Sequence, residues 1–231
     1  LRNLKVMENL LEQIALCIQR GKIDAVTAYP PDMKGMKGAG ELTLDALNSG
    51  IDANRILSEA LIPAMSIVGD LFRENKLFVP QVLMSAKAMS TAMVHLKPYF
   101  NSGEIAKRGT FVIGTVSGDL HDIGKNLVAM MVEGNGWSVI DLGVDVKSEK
   151  FIEAAQMYPD AIIGMSALLT TTMESMKKSV GDLKNNYPKR KIVVGGAPLS
   201  HKFATEIGAD LFAPDPTSLI QYLNTNIIIQ S

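Results

Sequence analysis

The chain has 231 residues, 24 acidic against 23 basic side chains, a net charge of −1, and 47% hydrophobic but only 6% aromatic residues. Dispersed Lys and Arg at this balance argue against a nucleic-acid surface, and the single Cys17 excludes a disulfide framework or a cysteine metal cluster. No apolar run reaches membrane-spanning length and no signal-peptide pattern opens the chain, so a soluble cytoplasmic protein with no membrane partner is expected.

In chain order, Leu4, Met7, Leu10, Leu11, Ile14 and Ile18 recur at helical spacing, and Gly21 is a natural stop. Lys22 to Gly40, with Pro30-Pro31 and Gly35, Gly38 and Gly40, reads as a long loop. Glu41 to Asn48 reads as a short helix. Asp52 is a suitable cap for the next one, where Ile56, Leu57, Ala60, Leu61, Ala64, Met65, Val68, Leu71 and Phe72 repeat at three and four. Pro63 inside this pattern predicts a kink or a local adjustment. A last helix starts near Leu77, with Pro80 in its first turn, and is expected to run to about Leu96 and end at Pro98. Four helices with short connections predict an antiparallel bundle over residues 1–100. Phe78, Val82, Met84, Met89 and Met93 cannot all face one seam, so some face another surface. Polar residues 101–108 read as a linker.

From Gly109 short β-rich runs alternate with helical ones. The strands are drawn at Thr110–Val116, Ser138–Leu142, Ala161–Met165, Lys191–Gly195 and Asp210–Phe212. The helices are drawn at Ile123–Glu133, Ser148–Tyr158, Thr171–Asn185, Ser200–Ile207 and Thr217–Asn224. Five β-α units predict a doubly wound parallel five-stranded sheet over residues 109–231, flavodoxin- or Rossmann-like, in the order 2-1-3-4-5. Its switch point falls between strands one and three, where such sheets bind ligands.

Two loops should meet there. The first, Ser117 to Asp122, holds Asp119, His121 and Asp122, followed by Gly124. Asp119 and His121 are two apart, so the carboxylate can take one imidazole nitrogen and leave the other free for a metal. The second, Ser166 to Thr172, concentrates Ser166, Thr170, Thr171 and Thr172. Each loop can equally be read as capping a helix start. Gly195-Gly196-Ala197 after strand four lets another group approach the backbone, or simply makes a tight turn. Asp215 is a weaker candidate at the rim. His95 and His201 read as ordinary helix or surface residues.

The string Gly114-Thr115-Val116-Ser117-Gly118-Asp119-Leu120-His121-Asp122-Ile123-Gly124-Lys125-Asn126-Leu127-Val128 resembles the signature loop of the cobalamin-binding domain of methionine synthase and of corrinoid proteins in methyltransferase systems. The resemblance implies cobalamin as cofactor, as methylcobalamin, cob(I)alamin or a related corrinoid. It makes His121 the lower axial ligand of cobalt, in place of the cofactor's own base, and Asp119 its hydrogen-bond partner. Ser166-Ala167-Leu168-Leu169-Thr170-Thr171-Thr172 resembles the family's hydroxyl turn. That implies a Thr172–Asp119–His121 relay, with Asp119 and Thr172 serving catalysis, and Ser166, Leu168 and Thr170 near the buried nucleotide tail. Gly195, Gly196 and Ala197 resemble the turn flanking that tail. Gly118, Leu120, Asp122, Ile123 and Gly124 are assigned to the cofactor as parts of the signature loop. Val68 to Met89 resembles the end of the helical cap that covers the upper corrin face, so Phe78, Val82 and Met89 are assigned there. Lys22–Gly40 departs from that pattern, being longer and richer in Pro and Gly.

The implied function is a corrinoid carrier subunit of a multicomponent methyltransferase system, not a complete enzyme alone. Its implied partners are a substrate:corrinoid methyltransferase, a corrinoid:acceptor methyltransferase using tetrahydrofolate or a thiol, and a reductive activase. Three alternatives are weaker. A cobalamin-dependent sensor normally carries a DNA-binding helix-turn-helix, and no suitably basic segment is present. The cofactor subunit of a radical mutase usually lacks the preceding bundle. A flavin or phosphoacceptor module fits poorly, because strand three ends in Gly164-Met165-Ser166 without an acidic acceptor.

Overall fold

The computed structural model describes residues 2–225, and side chains from residue 7 onward; Leu1 and the side chain of Leu4 lie outside the described residues. The chain divides into two compact units, one up to Ala106 together with Gly134–Gly136, the other formed by the remainder from Lys107.

The first unit is helical. Helix α1 (Arg2–Arg20) ends at Gly21, whose φ of 68° is a left-handed conformation that glycine adopts without strain. Residues 22–38 follow, with one 3₁₀ turn at Pro31–Met33. This stretch is better tied than its composition suggests. Lys22 is fully buried, and its Nζ donates to the Thr27 carbonyl at 2.7 Å. The Glu41 carboxylate accepts from the Gly38 amide at 2.8 Å and the Ala25 amide at 3.0 Å. Helix α2 (Ala39–Asn48) therefore starts two residues earlier than the expected Glu41, because Glu41 acts as the residue that reaches back to its own helix start.

Asp52 caps α3 (Ala53–Arg55), its carboxylate accepting from the Arg55 amide at 3.1 Å. A π-helical stretch, Ile56–Leu61, then leads into α4 (Ile62–Arg73). Pro63 sits just after it. Proline cannot donate to the preceding turn and its ring crowds that turn's carbonyl. The wider π turn absorbs the mismatch without a break. Helix α5 (Val79–Ser102) contains Pro98 and ends at Gly103, with φ 82°. The helix end expected at Pro98 is thus corrected to Ser102. The carbonyl deprived of a partner belongs to Val94, on an exposed side of the helix, where water can replace the missing donor. Asn101 and Ser102, expected in the linker, are helical. Val82, Ala86, Met89, Ala92 and Leu96 form the buried stripe of α5, and this helix packs with α1, α2 and α4.

The second unit is a five-stranded parallel sheet of order β2-β1-β3-β4-β5, the order expected from the β-α alternation. The strands are β1 (Thr110–Thr115), β2 (Ser138–Asp141), β3 (Ile162–Ser166), β4 (Ile192–Gly195) and β5 (Leu211–Phe212). The helices are α6 (Ile123–Gly134), α7 (Ser148–Met157), α8 (Met173–Asn186), α9 (His201–Ile207) and α10 (Pro216–Thr225). Alternate strand residues feed two cores. Val112, Ile163 and Val194 join Phe151, Met176 and Val180 on one face. Phe111, Ile113, Ile162 and Val193 join Val132, Leu219 and Leu223 on the other. Both faces are covered, which is why these strands read as continuous apolar runs.

Close packing leaves no side-chain room at Gly164 in β3, where a Cβ would overlap the ring of buried Phe111 on neighbouring β1. Gly164→Ala should lower stability in urea by about 1–3 kcal/mol. Adding Phe111→Leu should restore part of that loss, a non-additivity a double-mutant cycle would measure.

Candidate functional site

The site is built where β1 and β3 end side by side, with Thr115 in register with Ser166. After β1 the chain turns at Val116 to Asp119, the Asp119 amide donating to the Val116 carbonyl at 3.1 Å. Gly118 takes φ 84° in this turn, a conformation that favours glycine. Asp119 then points inward and is fully buried. Five donor groups face its carboxylate. Oδ1 accepts from the His121 amide at 3.1 Å and lies 2.8 Å from His121 Nδ1. Oδ2 accepts from the amides of Leu168 at 2.7 Å and Leu169 at 3.3 Å, and from the Thr172 hydroxyl at 2.9 Å.

Burial by itself pushes this carboxyl's pKa up, but the amides of Leu168 and His121, the His121 ring and the Thr172 hydroxyl together hold it well below the usual carboxylate range. Asp119 is therefore ionised and can only accept. The neutral His121 ring must carry its proton on Nδ1, and its Nε2 lone pair is left available. The imidazole is about half exposed, at 51%. Around it the chain displays apolar side chains to solvent: Leu120 at 72%, Ile123 at 64%, Leu168 at 43% and Leu169 at 41%. A Cβ on Gly124 would meet nothing of the chain within 4 Å, so no internal packing demands a glycine there.

Other sequence-selected residues fall into different settings. Asp122 is tied to its own helix start, accepting from Asn126 Nδ2 at 2.9 Å. Asp215 caps α10, its carboxylate accepting from the Ser218 amide at 2.9 Å and the Ser218 hydroxyl at 2.7 Å. Ser166 is half-buried and Thr170 exposed on the β3 side of the loop. At Gly196, φ 138°, the approaching group is the chain's own Ala167 carbonyl, which a Cβ would strike. Gly195 and Ala197 flank that contact, half-buried and exposed respectively. In the helical unit Phe78 is 65% exposed, whereas Val82 and Met89 are buried in the α5 stripe. Of the three residues expected to line an open face, only Phe78 offers surface, because Val82 and Met89 share the helical face that packs. A separate recess of about 570 Å³ near Asp160, Tyr187 and Lys189 includes none of the sequence-selected residues.

The comparisons with known proteins bear on the family of the chain. Residues 109–219 match the B12 binding domain, and residues 36–97 match a second family described in the same words. A corrinoid protein of Desulfitobacterium hafniense is 40% identical over 194 residues, 80% of this chain and 88% of its own length. The chain belongs to the B12-binding corrinoid proteins. Trimethylamine corrinoid protein 1 of Methanosarcina acetivorans is 38% identical over 201 residues, 85% of this chain and 91% of its own. The structure of the methanol:cobalamin methyltransferase complex MtaBC from Methanosarcina barkeri contains a chain that superposes with a TM-score of 0.75 at 29% identity, covering 96% of this chain and 82% of that one.

In this corrinoid protein several supporting residues escaped the sequence reading. Thr115, fully buried at the end of β1, donates its hydroxyl to the His121 carbonyl at 3.0 Å. Its only signal was a hydroxyl closing an apolar strand. The amides of Leu168 and Leu169 complete the Asp119 cradle, and backbone donors leave no trace in side-chain identity. Buried Lys125 bridges the Asp141 carboxylate and, at 2.6 Å, Asn126 Oδ1. No helix of the described residues is long and apolar enough to cross a membrane.

Asp119→Ala would take the acceptor from the Leu168 and His121 amides, leaving the Thr172 hydroxyl on the Leu169 carbonyl, and should cost about 1–3 kcal/mol in urea denaturation. A carboxyl whose folded pKa is depressed contributes stability that is complete above its unfolded pKa of about 3.9 and is lost as pH falls toward the lower folded value. Asp210 adds in the same sense: burial raises its pKa, but Lys184, the Ile192 amide and Lys191 bring it below the ordinary value. The urea midpoint should therefore drop as pH is taken from about 5 to about 3. Asp119→Asn should make that drop shallower.

Proposed function

We propose that this corrinoid protein is a methyl carrier in which His121 binds the cobalt of the corrinoid from below, in a base-off, histidine-on arrangement. It would take a methyl group from a substrate:corrinoid methyltransferase and yield it to a corrinoid:acceptor methyltransferase with tetrahydrofolate or a thiol as acceptor. A reductive activase is the further partner of this scheme. The observation that carries the reading is the exposed His121 ring, oriented through Nδ1 by a buried, ionised Asp119, with exposed leucine and isoleucine side chains on the same two loops.

The residues present fit such a group. An imidazole whose far nitrogen is held by a carboxylate is the arrangement that orients a metal ligand and raises its basicity. The apolar rim suits the edge of a large flat macrocycle. When bound, the corrinoid would supply a cobalt centre able to take up and release a methyl group. The protein's own part is to hold the metal through His121 Nε2, to fix the ring tautomer through Asp119, and to bias Asp119 through Thr172. Asp119 and Thr172 thereby set how the His121 ring is held toward a metal. Gly118, Leu120, Asp122, Ile123 and Gly124 belong to the same loop and are assigned to the cofactor's near face. Ser166, Leu168, Thr170, Gly195, Gly196 and Ala197 are assigned to its nucleotide tail. Residues 109–231 are taken as the cofactor domain, 101–108 as the linker, and 1–100 as a cap shielding the methyl group, with Phe78 its exposed aromatic. The names of the relatives, corrinoid proteins for trimethylamine and a methanol:cobalamin methyltransferase complex, support a methyl-transfer setting.

His121→Ala, loaded with cobalamin and reduced to Co(II), should keep cofactor affinity within about tenfold, since one metal–ligand bond is only part of a large contact. It should lose the electron paramagnetic resonance coupling to nitrogen that ¹⁵N-histidine labelling alters in the parent. A parent spectrum insensitive to that label would overturn His121 as the ligand. Asp119→Asn should keep the cofactor but move the pH at which histidine ligation is lost. An unchanged pH profile would sink the relay.

A further inference from the structure

The loop that carries His121 is gripped from the sides of both neighbouring strands. From the β3 side, the Leu168 and Leu169 amides and the Thr172 hydroxyl hold the Asp119 side chain. From the β2 side, residues 143–146 run alongside the end of β1. The Thr115 amide donates to the Gly143 carbonyl at 3.0 Å, the Val146 amide donates to the Thr115 carbonyl at 2.9 Å, and Val146 pairs in parallel with Val116. Asp145 lies in this segment. Its carboxylate accepts from the Gly118 amide at 2.7 Å and from the Ser117 hydroxyl at 3.2 Å. Its own amide donates to the Asp119 carbonyl at 3.0 Å. One residue thus holds the peptide entering Gly118 and the peptide leaving Asp119, the two that bracket the aspartate.

Asp145 also stands at φ 52°, a left-handed conformation that only glycine, asparagine and aspartate adopt readily. A residue chosen for backbone shape alone could be glycine. Glycine would supply the turn but none of the carboxylate's acceptors. The Gly118 amide and the Ser117 hydroxyl both lower the Asp145 pKa, so the acceptor is charged at neutral pH.

We propose that Asp145 is a positioning residue for His121: it fixes the main chain of residues 117–119, and with it the direction from which Asp119 presents the imidazole. Its bonds are to the Ser117–Asp119 stretch, and it acts through the backbone. The inference rests on the reading of His121 as the cobalt ligand, and the mechanism is geometric. Losing the brace leaves every side chain of the cradle in place but frees the turn that aims them.

The test compares the parent with Asp145→Ala and Asp145→Asn. Asparagine tolerates the left-handed backbone and keeps one uncharged acceptor oxygen, so it is the conservative variant. In the unloaded proteins, hydrogen exchange of the Gly118 amide should quicken at least tenfold in Asp145→Ala and by less in Asp145→Asn. After loading with cobalamin, corrinoid affinity should stay within about threefold of the parent. The share of Co(II) showing coupling to ¹⁵N-histidine should fall at least fivefold in Asp145→Ala and recover partly in Asp145→Asn. Parent-like ligation in both variants overturns the proposal, as does an equal loss in both with unchanged Gly118 exchange. If Asp145→Ala fails to fold, Asp145→Asn decides: ligation reduced together with faster Gly118 exchange supports the brace, and either one at the parent value rejects it. A parent lacking histidine coupling defeats the ligand reading instead, while the exchange data still report whether the brace exists.

Discussion

A carboxylate removed from water is stable only where donors replace its hydration, and Asp119 sits among five of them with no exposure of its own. The consequence is mechanical as well as electrostatic. Two of the donors come from His121, two residues along the same loop, and three come from the turn after β3. One buried charge therefore links two segments about fifty residues apart in sequence and fixes the ring that emerges between them. Without the carboxylate the amides of Leu168 and Leu169 would lose this acceptor, while the Thr172 hydroxyl would keep the Leu169 carbonyl at 2.9 Å. The His121 main chain would keep the bond from the Thr115 hydroxyl to its carbonyl.

Parallel pairing makes that link possible. The order β2-β1-β3-β4-β5 places β1 between β2 and β3, so the loop after β1 has a neighbour on each side. Each neighbour contributes something different: the β3 turn meets the Asp119 side chain and the β2 turn meets the main chain around it. The surroundings divide accordingly into residues engaged by the fold and residues facing outward. Asp122 and Asp215 accept hydrogen bonds within the chain, and Gly196 makes room for the Ala167 carbonyl. His121, Leu120, Ile123 and Gly124 are exposed, and these are the groups that the proposed function gives to the cofactor.

The helical unit is ordered by similarly specific polar contacts at its irregular points. Glu41 joins the start of α2 to the preceding loop, buried Lys22 ties that loop to Thr27, and the π turn before Pro63 accommodates a residue that a regular helix would reject. Proline and glycine content alone suggested a loose connection between α1 and α2. Acceptors supplied by neighbouring residues made it a defined one.

Much of this molecule could be read from residue order alone. Periodicity located the β-α alternation and the helical run, because apolar spacing reports directly which face of an element must be covered. The topology of the sheet followed from the handedness and shortness of β-α connections. The spacing of Asp119 and His121, and their likeness to a known family's loop, marked the end of β1 as the candidate site, since two residues separated by one can share a hydrogen bond whatever surrounds them. Folding in three dimensions decided the rest. Whether Asp119 is buried, which backbone amides reach it, that Asp145 holds the loop, and that Val82 and Met89 are buried all depend on distances between segments remote in sequence. Main-chain donors carry no residue signature, and burial is a property of neighbours, so neither is written in the order of amino acids.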